Sequence, residues 1–189
     1  MPSSLNIALF TYSTKPRGSV VHTLELAEAL HHLGHEVSVY ALSKDGGGFH
    51  RSLSCRVCLI PTQSAPAEMD ALIQQRIQEF VDYLSGSSLE HQIYHAQDCL
   101  SANALAMLRQ QNRISHFIRT VHHIEDYVSP YLQACQDRSI HAADLCLCVS
   151  QYWQTELQKH YQIEAKQVAN GVNWQQFSPV PSGIEPELR

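Results

Sequence analysis

Residues 6–42 decide the fold class, and they read NIALFTYSTKPRGSVVHTLELAEALHHLGHEVSVYAL. Residues 6–11 form a short apolar run that ends at the Pro- and Gly-bearing stretch 13–18. Apolar residues then recur with helical spacing at Val20, Leu24, Ala27 and Leu30. Gly34 is placed to cap this helix, and residues 36–42 alternate like a second strand. The stretch therefore predicts a strand, a helix and a second strand.

The same alternation continues downstream. Further strands are predicted at residues 56–60, 92–96, 117–121, 145–149 and 165–169, and helices at 69–84, 100–110, 130–143 and 152–160. Several strands are nearly continuous in apolar residues, which is typical of parallel strands covered on both faces. We therefore expect an α/β fold, a Rossmann-like doubly wound and mostly parallel sheet with helices on both faces.

The end of the chain differs in composition from the rest. Residues 178–189 read SPVPSGIEPELR, which is typical of an inter-domain linker. We therefore expect residues 1–177 to form one domain and residues 178–189 to lead toward a further domain that this sequence does not contain.

Charge and hydropathy narrow the possible partners and the location. The 189 residues carry a net charge of −5 and scattered Lys and Arg residues, so we expect no nucleic-acid partner. No apolar run approaches the length of a transmembrane helix, and the first residues lack the features of a secretory signal. We expect a cytoplasmic protein.

The six cysteines are Cys55, Cys58, Cys99, Cys135, Cys146 and Cys148. Cys55 and Cys58 have the spacing of half a zinc site, but Cys146 and Cys148 do not supply a matching second half. Their spacing instead places both on one face of a strand. We expect reduced, mostly buried thiols and no metal.

In an open parallel sheet, ligands bind outside the carboxyl ends of the strands. The loop 15–19 follows the first strand and precedes a helix, whose free amides and dipole favour a phosphate. It lacks the G-x-G-x-x-G motif, which counts against nicotinamide and flavin cofactors. It also lacks the G-x-x-x-x-G-K-[ST] phosphate loop of ATP- and GTP-binding proteins. From the residues alone, Gly18 is either an ordinary turn glycine or a point of close ligand approach.

Five motifs in order resemble the N-terminal domain of GT-B-fold, family 4-like glycosyltransferases. They are Gly34-His35-Glu36-Val37, His95-Ala96-Gln97-Asp98, Thr120-Val121-His122-His123, Val149-Ser150, and Asn170-Gly171-Val172-Asn173 followed by Phe177-Ser178-Pro179. Three positions depart from the usual pattern. Gly18-Ser19 replaces two glycines, Gln97 replaces a frequent histidine, and Asn173 replaces an aspartate.

The resemblance implies a retaining glycosyltransferase that moves a sugar from a nucleotide-sugar donor to a hydroxyl acceptor. It implies that this domain serves the acceptor, that a C-terminal domain of the same enzyme holds the donor, and that no permanent cofactor or metal is needed. The fragment alone is then expected to be inactive. The alternatives are half of a GT-B-fold epimerase or phosphorylase, and a non-catalytic Rossmann-like binding domain.

Candidate site residues follow from the strand-end loops and the resemblance. His122 is the expected catalytic residue, with an N–H directed at the transferring sugar or the leaving phosphate; the alternative is a structural histidine. Gly18 and Ser19 are expected near phosphate. Asp98 either holds an acceptor hydroxyl or caps the next helix, and Asn170 either faces the inter-domain cleft or forms a turn. The remaining histidines are expected on the surface.

Overall fold

The computed structural model describes residues 3–173, which form a sheet of seven parallel strands. The strands are β1 (Asn6–Thr11), β2 (Glu36–Ser43), β3 (Arg56–Pro61), β4 (Ile93–Ala96), β5 (Ile118–Val121), β6 (Leu145–Cys148) and β7 (Lys166–Gln167). Their order across the sheet is β3-β2-β1-β4-β5-β6-β7. Every pairing is parallel.

Helices connect most of the strands. They are α1 (Gly18–His32), α2 (Met69–Ser85), α3 (Cys99–Gln110), α4 (Pro130–His141) and α5 (Gln151–Glu156), and α5 continues into a π-helical turn at Leu157–Tyr161. The predicted order of elements is confirmed. The predicted helix 152–160 is divided between α5 and this turn, and the predicted strand 165–169 is shortened to the two residues of β7.

The first helix ends as the sequence predicts. Gly34 has φ +89°, the left-handed region that glycine enters without steric cost. Its N–H donates to the carbonyl of His31, and the N–H of His35 donates to the carbonyl of Leu30. These are the two bonds of a Schellman motif, which turns the chain directly into β2.

Alternate residues of the central strands serve the two faces of the sheet. Ile7 and Leu9 pack with Leu24 of α1, whereas Phe10 packs on the opposite face with Phe80 of α2 and Leu105 of α3. Helices thus cover both faces, and the fold class is confirmed as a Rossmann-like, doubly wound α/β domain. The predicted linker 178–189 lies outside the described residues.

Strand order determines where a ligand can enter. The chain winds from β1 through β2 to β3 on one side, and from β4 through β7 on the other. The connections leaving β1 and β4 therefore diverge at their carboxyl ends. This divergence opens a crevice at the topological switch point, where α/β sheets bind ligands.

Candidate functional site

A cavity of about 770 Å³ lies at this crevice, and we call it the switch-point cleft. One part of its wall is polar and includes Tyr12, Arg17, Ser19, Lys44, Gln97, Asp98, Arg119 and His122. Another part is apolar and includes Ala65, Met69, Leu72, Ile73 and Leu100. The cleft therefore offers both hydrogen-bonding groups and an apolar surface, a combination that suits a small organic ligand.

His122 follows β5 immediately and lies at the wall of the cleft. Its Nε2 lies 3.0 Å from Oε1 of Gln97, and Nε2 of Gln97 lies 3.1 Å from Nε2 of His95. Thr120 Oγ1 is 2.7 Å from the same His95 nitrogen. One hydrogen-bond network thus joins the residues at the ends of β4 and β5.

The imidazoles of His95 and His122 are both neutral at physiological pH. Burial, together with the nearby His22 and Arg119, lowers the pKa of His122 to about 3, and the same three causes lower the pKa of His95 to about 3. A neutral His122 donates its Nε2–H to Gln97, which leaves Nδ1 as an acceptor. The N–H of His122 was predicted to face a ligand, but in this arrangement it faces Gln97.

His22 of α1 joins the same cluster. Its ring centre lies 4.8 Å from that of His122 in an edge-to-face arrangement. Burial lowers the pKa of His22, while a hydrogen bond with the Asn170 side chain raises it. The expectation that the remaining histidines lie on the surface is wrong for His95, which is buried, and His22 is only partly exposed because α1 places it beside the His122 ring.

Asp98 caps α3, as one of its two predicted roles requires. Oδ1 accepts a 2.9 Å hydrogen bond from the backbone N–H of Ser101. Oδ2 is buried and has no hydrogen-bond partner among the described residues. Burial raises the pKa of this carboxyl group. Capping therefore uses one oxygen and leaves the other beside the cleft.

Gly18 and Ser19 form the first turn of α1. Arg17 is the N-cap residue, with extended backbone and no side-chain cap, and no acidic residue occupies this turn. A Cβ placed on Gly18 would meet nothing within 4 Å, so no neighbouring protein atom requires glycine here. The backbone at this helix start is open to a ligand, and Ser19 lines the cleft.

Asn170 follows β7 and is exposed, and its hydrogen bond with His22 links the last loop to the histidine cluster. The structure thus brings His122 and Asn170 together through His22. Ser19 and Asp98 lie on the wall of the same cleft.

Three positively charged residues of the cleft were not predicted as site residues from the sequence. Lys44 Nζ lies 5.0 Å from the centre of the Tyr12 ring, and the guanidinium carbon of Arg17 lies 6.0 Å from it. Lys44 follows β2, so its position after a strand was an available signal. Arg119 lies inside β5 between Ile118 and Thr120, and only the tertiary structure relates it to the cleft.

A second cavity of about 610 Å³ lies between α1 and the sheet, and its wall is mainly apolar. In the part of the chain that the structure describes, no helix is long and apolar enough to cross a membrane. Within the same residues, no group of three His, Cys, Asp or Glu side chains is placed to bind a metal ion.

The six cysteines are free thiols, and Cys58, Cys135, Cys146 and Cys148 are buried. Cys146 and Cys148 lie in the same hydrophobic cluster, as the prediction of a shared strand face requires.

Solved structures similar to this chain include a starch synthase and a glycosyltransferase. The chain superposes on the catalytic domain of starch synthase IV from Arabidopsis thaliana, bound to ADP and acarbose, with a TM-score of 0.70 and 12% identity over 96% of this chain and 54% of that one. It superposes on a glycosyltransferase from Rickettsia africae with a TM-score of 0.61 and 16% identity, covering 97% and 47% of the two chains. For Anabaena Alr3699/HepE in complex with UDP, the TM-score is 0.61 and the identity 16%, over 94% and 47%.

The fold and the switch-point cleft therefore define the N-terminal half of a GT-B glycosyltransferase fold. This chain spans about half the length of those structures. A family profile for Glycosyltransferase Family 4 matches residues 16–176, and the chain belongs to that family. No curated protein matches the chain.

Proposed function

We propose that this domain binds the acceptor in a retaining glycosyltransferase, which moves a sugar from a nucleotide-sugar donor to a hydroxyl group. The observation that carries the proposal is the neutral His122, held by Gln97 at the wall of the switch-point cleft. Membership of the family supports the reaction class. The retaining outcome rests on the family resemblance.

His122 acts in this proposal as an orienting hydrogen-bond acceptor. With Nε2–H engaged by Gln97, Nδ1 is free to accept a hydrogen bond from a sugar or acceptor hydroxyl. A pKa of about 3 makes the ring a weak base, so it does not remove a proton at neutral pH. Its contribution is to hold a hydroxyl in a reactive position, an effect that depends on a preorganised ring.

Gly18 and Ser19 are proposed to contact a phosphate of the donor. The first turn of α1 has free amides, the positive end of a 15-residue helix dipole and no competing carboxylate. Asp98 Oδ2 is proposed to accept from an acceptor hydroxyl, and Asn170 to position the histidine cluster through His22.

The donor nucleotide is proposed to bind mainly to a C-terminal domain of the same enzyme. Two of the structures that share this fold contain ADP or UDP, and each is about twice as long as the aligned region. We infer that the nucleotide sugar is a substrate and that no permanent cofactor is needed. The free thiols fit the reducing environment of the cytosol, where we place the enzyme.

The test is an assay of the enzyme with its donor-binding domain, beside this chain alone, using a panel of nucleotide sugars and hydroxyl acceptors. We expect transfer only when both domains are present, and a product whose anomeric configuration, read by NMR, matches that of the donor. Turnover at enzymatic rates by this chain alone, or an inverted product, contradicts the proposal.

A further inference from the structure

The polar wall of the switch-point cleft holds more positive charge than its neighbours balance. Lys44 and Arg17 both lie against Tyr12. Among residues 3–173, neither Lys44, Arg17 nor Arg119 takes part in an ion pair. Partial desolvation lowers the pKa of Lys44, and the charges of Arg76 and Arg17 add to this effect, while Asp98 and Glu79 oppose it.

Arg119 adds a buried charge to the same wall. Its side chain is only 6% exposed. One guanidinium nitrogen donates to the carbonyl of Thr120, while Nε is buried with no partner among the described residues. Asp98 acts on this guanidinium electrostatically but forms no direct ion pair with it among the described residues. A buried N–H without a partner costs free energy, which a bound anion would offset.

The acidic side chains of the cleft do not neutralise this wall. Asp98 is the carboxyl group that acts most strongly on Arg119, and a single carboxylate cannot balance three cations. Glu125 is largely exposed and pairs with His123 at 3.5 Å. Arg76, by contrast, is paired with Glu79 and needs no further anion.

We propose that the acceptor carries a phosphate group, which Arg17 and Lys44 bind while Arg119 supplies buried positive charge beside it. This inference rests on the proposed function and adds the chemical class of the acceptor. A phosphate monoester carries a charge of about −1.5 to −2 and several acceptor oxygens, so it can engage several cations at once. The apolar wall around Leu72 then contacts the uncharged part of the same molecule.

The experiment titrates this chain at low salt, by calorimetry, with inorganic phosphate, glucose 6-phosphate and glucose. We expect both phosphates to bind and glucose to bind at least about tenfold more weakly. The double variant R17Q/K44M should lose about tenfold or more in phosphate affinity, since each lost cation removes a charge-assisted hydrogen bond. The control R56Q/K159M makes the same change in charge outside the cleft, and its affinity should stay within about twofold of the wild type.

If the two double variants lose phosphate affinity equally, the loss depends only on the overall charge of the protein, and the inference is overturned. Equal binding of glucose and glucose 6-phosphate would overturn it as well. Because a donor diphosphate presents the same chemistry, UDP and ADP are titrated in competition. Displacement of glucose 6-phosphate by either nucleotide, with a loss of nucleotide affinity in R17Q/K44M, would assign the cations to the donor and overturn the acceptor assignment.

The transfer assay separates this inference from the proposed function. Transfer by the two-domain enzyme to neutral and phosphorylated acceptors at equal kcat/KM would leave the function standing and overturn the phosphate inference. A preference for phosphorylated acceptors that R17Q/K44M abolishes, with R56Q/K159M unaffected, supports both. Phosphate binding to the cleft without any sugar transfer would refute the function and, with it, the assignment of the phosphate to an acceptor.

Discussion

Replacing His122 by alanine in the proposed two-domain enzyme tests the proposed site most directly. The change removes Nδ1 from the cleft, where it is proposed to accept from a substrate hydroxyl. Loss of one preorganised hydrogen bond at a reacting centre lowers turnover by about tenfold to a thousandfold. We expect a decrease in kcat within that range.

The same substitution also lowers the stability of the fold, because it removes the hydrogen-bond partner of Gln97. Gln97 is only 1% exposed, and its Oε1 loses the 3.0 Å hydrogen bond from His122. An unpaired buried acceptor costs about 1–3 kcal/mol. For a domain of this size, this free energy corresponds to a decrease in melting temperature of about 2–12 °C.

Thr120→Val is the matched control. It removes the 2.7 Å hydrogen bond between Thr120 and His95, which belongs to the same hydrogen-bond network. Thr120 lines the second cavity, between α1 and the sheet, instead of the switch-point cleft. We expect a similar loss of stability with turnover near the wild-type value. The assay combines thermal melting with initial rates corrected for the folded fraction. If His122→Ala is destabilised but retains normal specific activity, the catalytic assignment is wrong.

Three further predictions concern pH, the helix start and the thiols. Because the pKa values of His95 and His122 are both about 3 when folded, only the unfolded chain gains these two protons as the pH falls below 6.5. As the pH falls, the free energy of unfolding should decrease by up to about 2.7 kcal/mol per pH unit, and by about half as much in His95→Gln. The unfolding free energy is measured by urea denaturation at a series of pH values, and an equal pH dependence in the wild type and His95→Gln would contradict this prediction. Gly18→Ala should raise stability by about 0.4–1 kcal/mol yet increase the KM for the donor, whereas an unchanged KM would exclude close backbone approach. Native thiol labelling should modify Cys55 first, because burial raises the pKa of both half-buried thiols and raises that of Cys99 to about 11; an early phase that persists in Cys55→Ser would refute this order.

The site residues differ in how far the sequence could specify them. His122, Asp98 and Asn170 were predicted from two features together, their positions after predicted strands, which end at one edge of a parallel sheet, and the family resemblance. The N-cap role of Asp98 was one of two local possibilities, and the hydrogen bond to Ser101 shows which of them forms. The tautomer of His122 could not be predicted, since it depends on Gln97, which lies 25 residues away in the chain.

What the sequence determined by itself is the order of elements and the sheet edge that carries the site. Hydrophobic periodicity is a local property, and the left-handed Gly34 after α1 follows from local sterics. The tertiary structure alone decided which loops meet. The order β3-β2-β1-β4-β5-β6-β7 opens the crevice between β1 and β4, brings His22 to His122, and gathers Arg17, Lys44 and Arg119 around one cavity. Contacts between residues distant in the chain depend on strand pairing and helix packing, which no local pattern encodes.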